Sequence, residues 1–237
     1  MLWGLFTFLT ISLSSYGGSI TYVTDPFPPY IYEKENLPQG SVTKTLPLIL
    51  GIKPEEITYK FVPWKRALLE IEQGTADIIG PMLVDPKKDY LWFTQPVMAG
   101  EVSLWSSVTN KKAKDLNWLK PEDLNGLRLG FILGYFYGED FEKYLKDPGV
   151  QTIHIKDVEQ ALNMLKKGHI DIFVGLDAVF VDYASKPPFQ LKDFKKVGKP
   201  VFTGEYTYGI SKKSPLAKQL KVINARIAEL RKQKAAQ

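Results

Sequence analysis

Gly168-His169-Ile170-Asp171-Ile172-Phe173-Val174-Gly175 repeats, 94 residues further on, the order of Gly74-Thr75-Ala76-Asp77-Ile78-Ile79-Gly80. The same offset of 94 extends upstream, pairing Ala67 with Ala161, Leu68 with Leu162 and Ile71 with Leu165. Apolar positions three and four apart before each glycine read as one face of a helix. The glycine suits the left-handed residue that ends a helix, and the β-branched run after it reads as a strand. Two similar helix, glycine, strand units predict two α/β lobes.

Working outward from the first unit, Ile20-Thr21-Tyr22-Val23-Thr24 is a β-branched and aromatic run that stops at Asp25-Pro26-Phe27-Pro28-Pro29. It predicts a strand that ends in a proline-stiffened loop. A short helix over Thr43–Leu50 and a strand over Ile57–Val62 follow, ahead of a helix over Trp64–Glu72. Around the second unit, Arg128–Ile132 reads as a strand, Gly134 as a turn, and Gly138–Lys146 as a helix. Ala217–Gln237 is a mostly polar helix with apolar residues at Leu220, Ile223, Ile227 and Leu230, able to pack on either lobe. A chain that leaves one lobe and returns needs two crossings, placed near Pro96–Gly100 and Pro200–Tyr206. The expected division is 19–98 plus 204–237 for the first lobe and 99–203 for the second. A cleft between them is the preferred place for a ligand.

Composition excludes several classes. The 237 residues are 44% hydrophobic and 24% charged, which is ordinary for a globular chain and wrong for a disordered one. The net charge of +5 is spread over pairs such as Lys111-Lys112, Lys166-Lys167 and Lys212-Lys213, a solvated surface rather than a nucleic-acid groove. No cysteine is present, so neither a disulfide framework nor a thiolate metal site exists. His154 and His169 lack ligand-like spacing, and no metal is expected.

Leu2–Leu13 is an apolar stretch followed by small residues including Ser15 and Gly17, the pattern of a cleaved export signal over residues 1–18. No Lys or Arg precedes Lys34, so the usual positive flank is missing. As a helix, twelve residues would span about 18 Å, short of the ~30 Å apolar core of a bilayer. A periplasmic location is therefore expected over a membrane anchor.

No catalytic constellation stands out. There is no Gly-x-Ser-x-Gly elbow, neither histidine has a recognisable partner, and Gly130–Gly138 matches neither a phosphate loop nor a dinucleotide fingerprint. No cofactor is expected. Aromatic residues crowd the loop ends instead: Phe27, Tyr30 and Tyr32, then Trp64, then Tyr135-Phe136-Tyr137. Such faces can line a site for a planar, sugar-like or cationic ligand.

Taken in order, several segments resemble the family 3 extracellular solute-binding proteins, associated with polar amino-acid uptake. They are Asp25-Pro26-Phe27-Pro28-Pro29-Tyr30, Pro63-Trp64-Lys65-Arg66-Ala67-Leu68, Asp85-Pro86-Lys87-Lys88, Phe93-Thr94-Gln95-Pro96 and Tyr208-Gly209-Ile210-Ser211-Lys212-Lys213-Ser214-Pro215. The resemblance covers nearly the whole chain after its first residues. It implies a two-lobe fold of the type II periplasmic binding-protein kind, each lobe a small mixed sheet with flanking helices, joined by two hinge strands. It also implies a monomer that captures a small molecule by hinge closure and hands it to a membrane permease.

The departures bear on the ligand. The family's carboxylate-clamping Arg corresponds here to Lys88, which keeps the charge and loses the planar fork. Hydroxyl-bearing positions fall on Pro81 and Leu83, and the family's amine-binding Asp falls near Leu176, with Asp177 one place off. The expected ligand residues are Phe27, Tyr30, Trp64, Gly80, Lys88, Tyr135 and Asp177, around a small polar, aromatic or amino-acid-like ligand. Two other readings remain open: a dehydratase-like enzyme on the same scaffold, with Asp177 or Glu101 as its acid or base, and a ligand sensor acting on a membrane partner.

Overall fold

Residues 19–235 are described by a computed structural model, so the export-signal reading of residues 1–18 lies outside the described residues. The chain begins with β1 (Ile20–Thr24), the hairpin β2 (Tyr32–Lys34) and β3 (Leu37–Gln39), α1 (Ser41–Leu50) and β4 (Ile57–Phe61). Then come α2 (Trp64–Gln73), β5 (Ile78–Leu83), β6 (Leu91–Phe93) and β7 (Met98–Ser107). Its second part holds β8 (Arg128–Ile132), α3 (Glu139–Tyr144), β9 (Gln151–Ile155), α4 (Val158–Lys166), β10 (Ile172–Leu176) and α5 (Asp177–Ala184). The long β11 (Phe194–Ser211) and α6 (Leu220–Ala235) close it. Among these helices none is long and apolar enough to cross a membrane.

The repeated sequence unit has a repeated topology. In one half, β4, β1 and β5 lie side by side and parallel, so the second strand, the first and the third are neighbours in that order. In the other half, β9, β8 and β10 repeat that order and direction. An antiparallel strand then covers the third strand of each set, β11 on β5 and β7 on β10. The fold is thus α/β, with two similar lobes and flanking helices.

The two halves do not have separate sheets. β7 and β11 run antiparallel to each other from Met98 opposite Tyr206 to Val102 opposite Phe202, and again from Leu104 opposite Val197 to Ser107 opposite Phe194. Because the two crossing strands bond to one another, one nine-stranded sheet passes through both halves. The register shifts between Val197 and Phe202. Gly198 there has φ +63°, a conformation glycine adopts without steric cost, and the Trp118 indole N–H donates to the Lys199 carbonyl at 2.9 Å.

The aspartates of the two copies are structural. Asp77 Oδ2 accepts from the Thr21 backbone N–H at 2.9 Å, while the Asp77 N–H donates to the Thr21 carbonyl at 2.9 Å. Asp171 does the same to Arg128, with 3.0 Å and 2.9 Å. Each clamps the first residues of the central strand of its half. Asp171 also accepts from the Arg128 guanidinium at 2.9 Å through both Nε and Nη2.

Some elements differ from expectation. The tail helix begins at Leu220, because Pro215–Gln219 forms a tight 3-10 turn first. The hairpin at Tyr32–Gln39 turns on Glu35 and Asn36, both with positive φ, a turn without the usual glycine signal. Helix α5 follows β10 without a break, and its alternating small and bulky residues carry no strong helical stripe. In the first half, Leu46 and Leu50 of α1 and Ile223 and Ile227 of α6 are buried together under the sheet. Each side chain so buried contributes roughly 1.5–3 kcal/mol.

Candidate functional site

Parallel strands of both halves end toward each other: β1 at Thr24, β8 at Ile132 and β10 at Leu176. Strand C-termini in α/β sheets are where ligands are received. Between them lies a cavity with walls from both sides. The first half supplies Phe27, Trp64, Pro81, Met82, Leu83 and Lys88, while the second supplies Ile132, Gly134–Tyr137, Val158, Phe173–Leu176 and Val179. Val102 and Tyr206 come from the crossing strands. In this arrangement the enclosed volume is about 50 Å³, room for a few water molecules.

Two hydrogen bonds join the halves across this cavity. The Trp64 indole N–H donates to the Gly134 carbonyl at 3.0 Å, and the Tyr135 hydroxyl donates to Asp25 Oδ2 at 2.7 Å. Trp64 and Tyr135 also meet edge to face with ring centroids 5.5 Å apart, and Phe27 lies 6.5 Å from Tyr135 and 6.3 Å from Tyr206. A Cβ on Gly134, at φ +89°, would stand 3.3 Å from the Trp64 ring, so glycine permits this approach.

Charge is scarce here. Among the described residues Lys88 is the one charged side chain lining the cavity, and its ammonium is paired with Asp85, three residues before it. Their side chains are 13% and 7% exposed. Asp85 Oδ1 also accepts from the Lys87 backbone N–H at 3.0 Å, which fixes the turn after β5. Asp25 is buried behind Tyr135. Burial pushes its carboxyl up to about 7, with Asp157 adding to the rise and the Tyr135 hydrogen bond opposing it. Burial, and then the neighbouring Asp25, hold the Tyr135 phenol protonated as a donor.

Of the seven residues expected from sequence, Phe27, Trp64, Lys88 and Tyr135 meet at this cavity. Gly80 lies beside it as backbone: its carbonyl accepts from the Tyr22 hydroxyl, and at φ +132° a Cβ would stand 2.9 Å from the Thr207 carbonyl. Tyr30 turns away into a second cavity of about 200 Å³ between α1, α6 and the sheet. Asp177 begins α5 outside the main cavity, accepting from the Trp105 indole N–H at 3.1 Å and pairing with Lys196. Glu101 lies 3.7 Å from the same lysine. The sequence reading missed Asp25, Asp85 and Tyr206 as site residues; for Asp25, its place directly after the β-branched run Ile20–Thr24 was the one available signal.

No protein-family model matches the chain, and no curated protein sequence matches it. Solved structures do. An ancestral arginine-binding protein bound to arginine superposes with a TM-score of 0.74 at 24% identity, covering 91% of this chain and 93% of that one. The substrate-binding protein of an amino-acid ABC transporter gives 0.71 at 20%, over 92% and 95%. A histidine kinase sensor domain similar to periplasmic binding proteins gives 0.74 at 18%, over 92% of each chain. Topology and superposition agree: the chain has the two-lobe type II fold of the periplasmic binding proteins.

Proposed function

We propose that this protein is an exported solute-binding protein that captures a small molecule between its lobes by hinge closure. One observation carries the reading: the cavity has walls from both halves, so a ligand in it stabilises the closed form and not the open one. The lobes are 19–98 with 204–237, and 99–203, and residues 1–18 act as the export signal. In this reading the protein acts as a monomer in the periplasm and presents its closed form to a membrane permease. The amino-acid binders among the solved structures support the transport role.

It is not an enzyme in this reading. Asp177 and Glu101, the acids the dehydratase alternative relies on, both face Lys196 outside the cavity. A sensor role is the second reading, supported by the likeness to a kinase sensor domain. Thermal-shift screening of the protein lacking residues 1–18, against amino acids, small carboxylates, sugars and aromatic metabolites, tests the proposal, since a ligand of the folded state raises the midpoint. A saturable ligand recovered unchanged supports it, and a ligand consumed during incubation sinks it.

A further inference from the structure

The wall of the main cavity offers a ligand few polar side chains. The Trp64 N–H is held by Gly134 and the Tyr135 hydroxyl proton by Asp25, while the Tyr137 hydroxyl accepts from the Ile132 N–H at 2.9 Å and keeps its own proton, and Tyr206 brings a further phenol. Lys88 is the charged donor among them. Its one partner among the described residues is Asp85, which takes one of three ammonium protons and leaves two for a ligand. Lys88 is also the one charged side chain at the wall among the described residues, and its charge is balanced by Asp85, which pairs with it without lining the cavity.

From this charge balance we infer that the ligand is uncharged: an aromatic or alicyclic body with a carbonyl or similar acceptor facing Lys88. The inference rests on the reading of the cavity as a ligand site. An α-amino acid brings an ammonium that no acid at the wall receives, and an isolated buried cation costs far more than an apolar contact returns. Asp25 does not meet this need, because its carboxyl lies behind Tyr135 and already accepts that hydroxyl. A monoanion fares little better, since it must share one ammonium with Asp85 at close range. An uncharged acceptor uses the spare Lys88 protons and leaves the pair intact. It enters with the lobes parted, because the closed volume of about 50 Å³ is too small for a ring.

Titration calorimetry with probes sharing one skeleton tests this: phenylpropanamide, phenylpropanoate and phenylalanine, with arginine as a fourth. The amide is expected to bind at least about tenfold more tightly than any charged probe. Asp85→Asn, which frees the Lys88 charge, is expected to shift preference toward phenylpropanoate by about tenfold, with circular dichroism confirming the fold. A charged probe binding as tightly as the amide, or an unchanged preference in Asp85→Asn, overturns the inference and leaves the ligand-site reading standing. No saturable binding by any of the four up to millimolar concentration, with the fold intact, overturns the inference; the ligand-site reading falls only if the wider thermal-shift screen also finds no ligand.

Discussion

Tyr135 and Asp25 lie 110 positions apart in sequence, and their side chains are joined by a 2.7 Å hydrogen bond across the gap between the lobes. The donor is a phenol kept protonated by burial, and the acceptor is a carboxyl that burial has made weakly acidic. The two halves are therefore joined partly by contacts between their own side chains.

That carboxyl makes stability depend on pH. An ordinary Asp titrates near 3.9 in an unfolded chain, and Asp25 titrates at about 7 in the fold. Between those values the folded state holds a proton the unfolded state lacks. The contribution of Asp25 is therefore fully present below about 4 and falls as pH rises toward 7, by at most about 1.4 kcal/mol per unit. Asp25→Asn keeps an acceptor for Tyr135 and is expected to flatten this slope, read as denaturant midpoints between pH 5 and pH 8.

Asp171 behaves in the opposite sense. Burial alone would raise its carboxyl, yet hydrogen bonds from Arg128 and Asn110 hold it at about 2. Its contribution is present above about 4 and is lost as pH falls through about 2. Asp171→Asn is expected to cost about 2 kcal/mol at neutral pH and to reduce the acid sensitivity of unfolding below pH 4. An equal loss at every pH would count against this assignment.

Trp64→Phe keeps the ring packing and removes the bond to Gly134. At about 1 kcal/mol for such a bond, the closed form should lose about fivefold in population relative to the open one. A larger radius of gyration by small-angle scattering without ligand is the expected sign.

Gly80→Ala places a Cβ 2.9 Å from the Thr207 carbonyl at φ +132°. A loss of about 2 kcal/mol, or roughly 4–8 °C in Tm, is expected. An unchanged Tm would show that β5 relaxes freely there.

Asp177→Asn is expected to leave ligand affinity within about twofold, because Asp177 faces Trp105 and Lys196 rather than the cavity. Calorimetry with whichever ligand the screen finds would reveal a larger effect at once.

What the sequence disclosed follows from the range of each interaction. The repeat around Gly74 and Gly168 was legible because helix ends, strands and the clamping Asp are set by neighbours within a few residues. Trp64, Phe27 and Tyr135 were legible as aromatics at loop ends near strand termini. Tyr30 and Asp177 were not, because the side each faces depends on partners far along the chain, α6 for Tyr30 and Lys196 for Asp177. Asp25 escaped for a related reason: its unusual chemistry arises only when Tyr135 is folded over it. The hairpin at Glu35-Asn36 escaped because its turn lacks glycine.

The pairing of β7 with β11 through the crossing region has a mechanical consequence. Two separate tethers would let one lobe swing about several axes. A ladder of backbone bonds between Met98–Val102 and Phe202–Tyr206 makes them a single ribbon that resists shear and in-plane bending but twists readily. In the proposed hinge closure, this ribbon makes torsion the path of opening, with the rims of the lobes held in register by the same ladder.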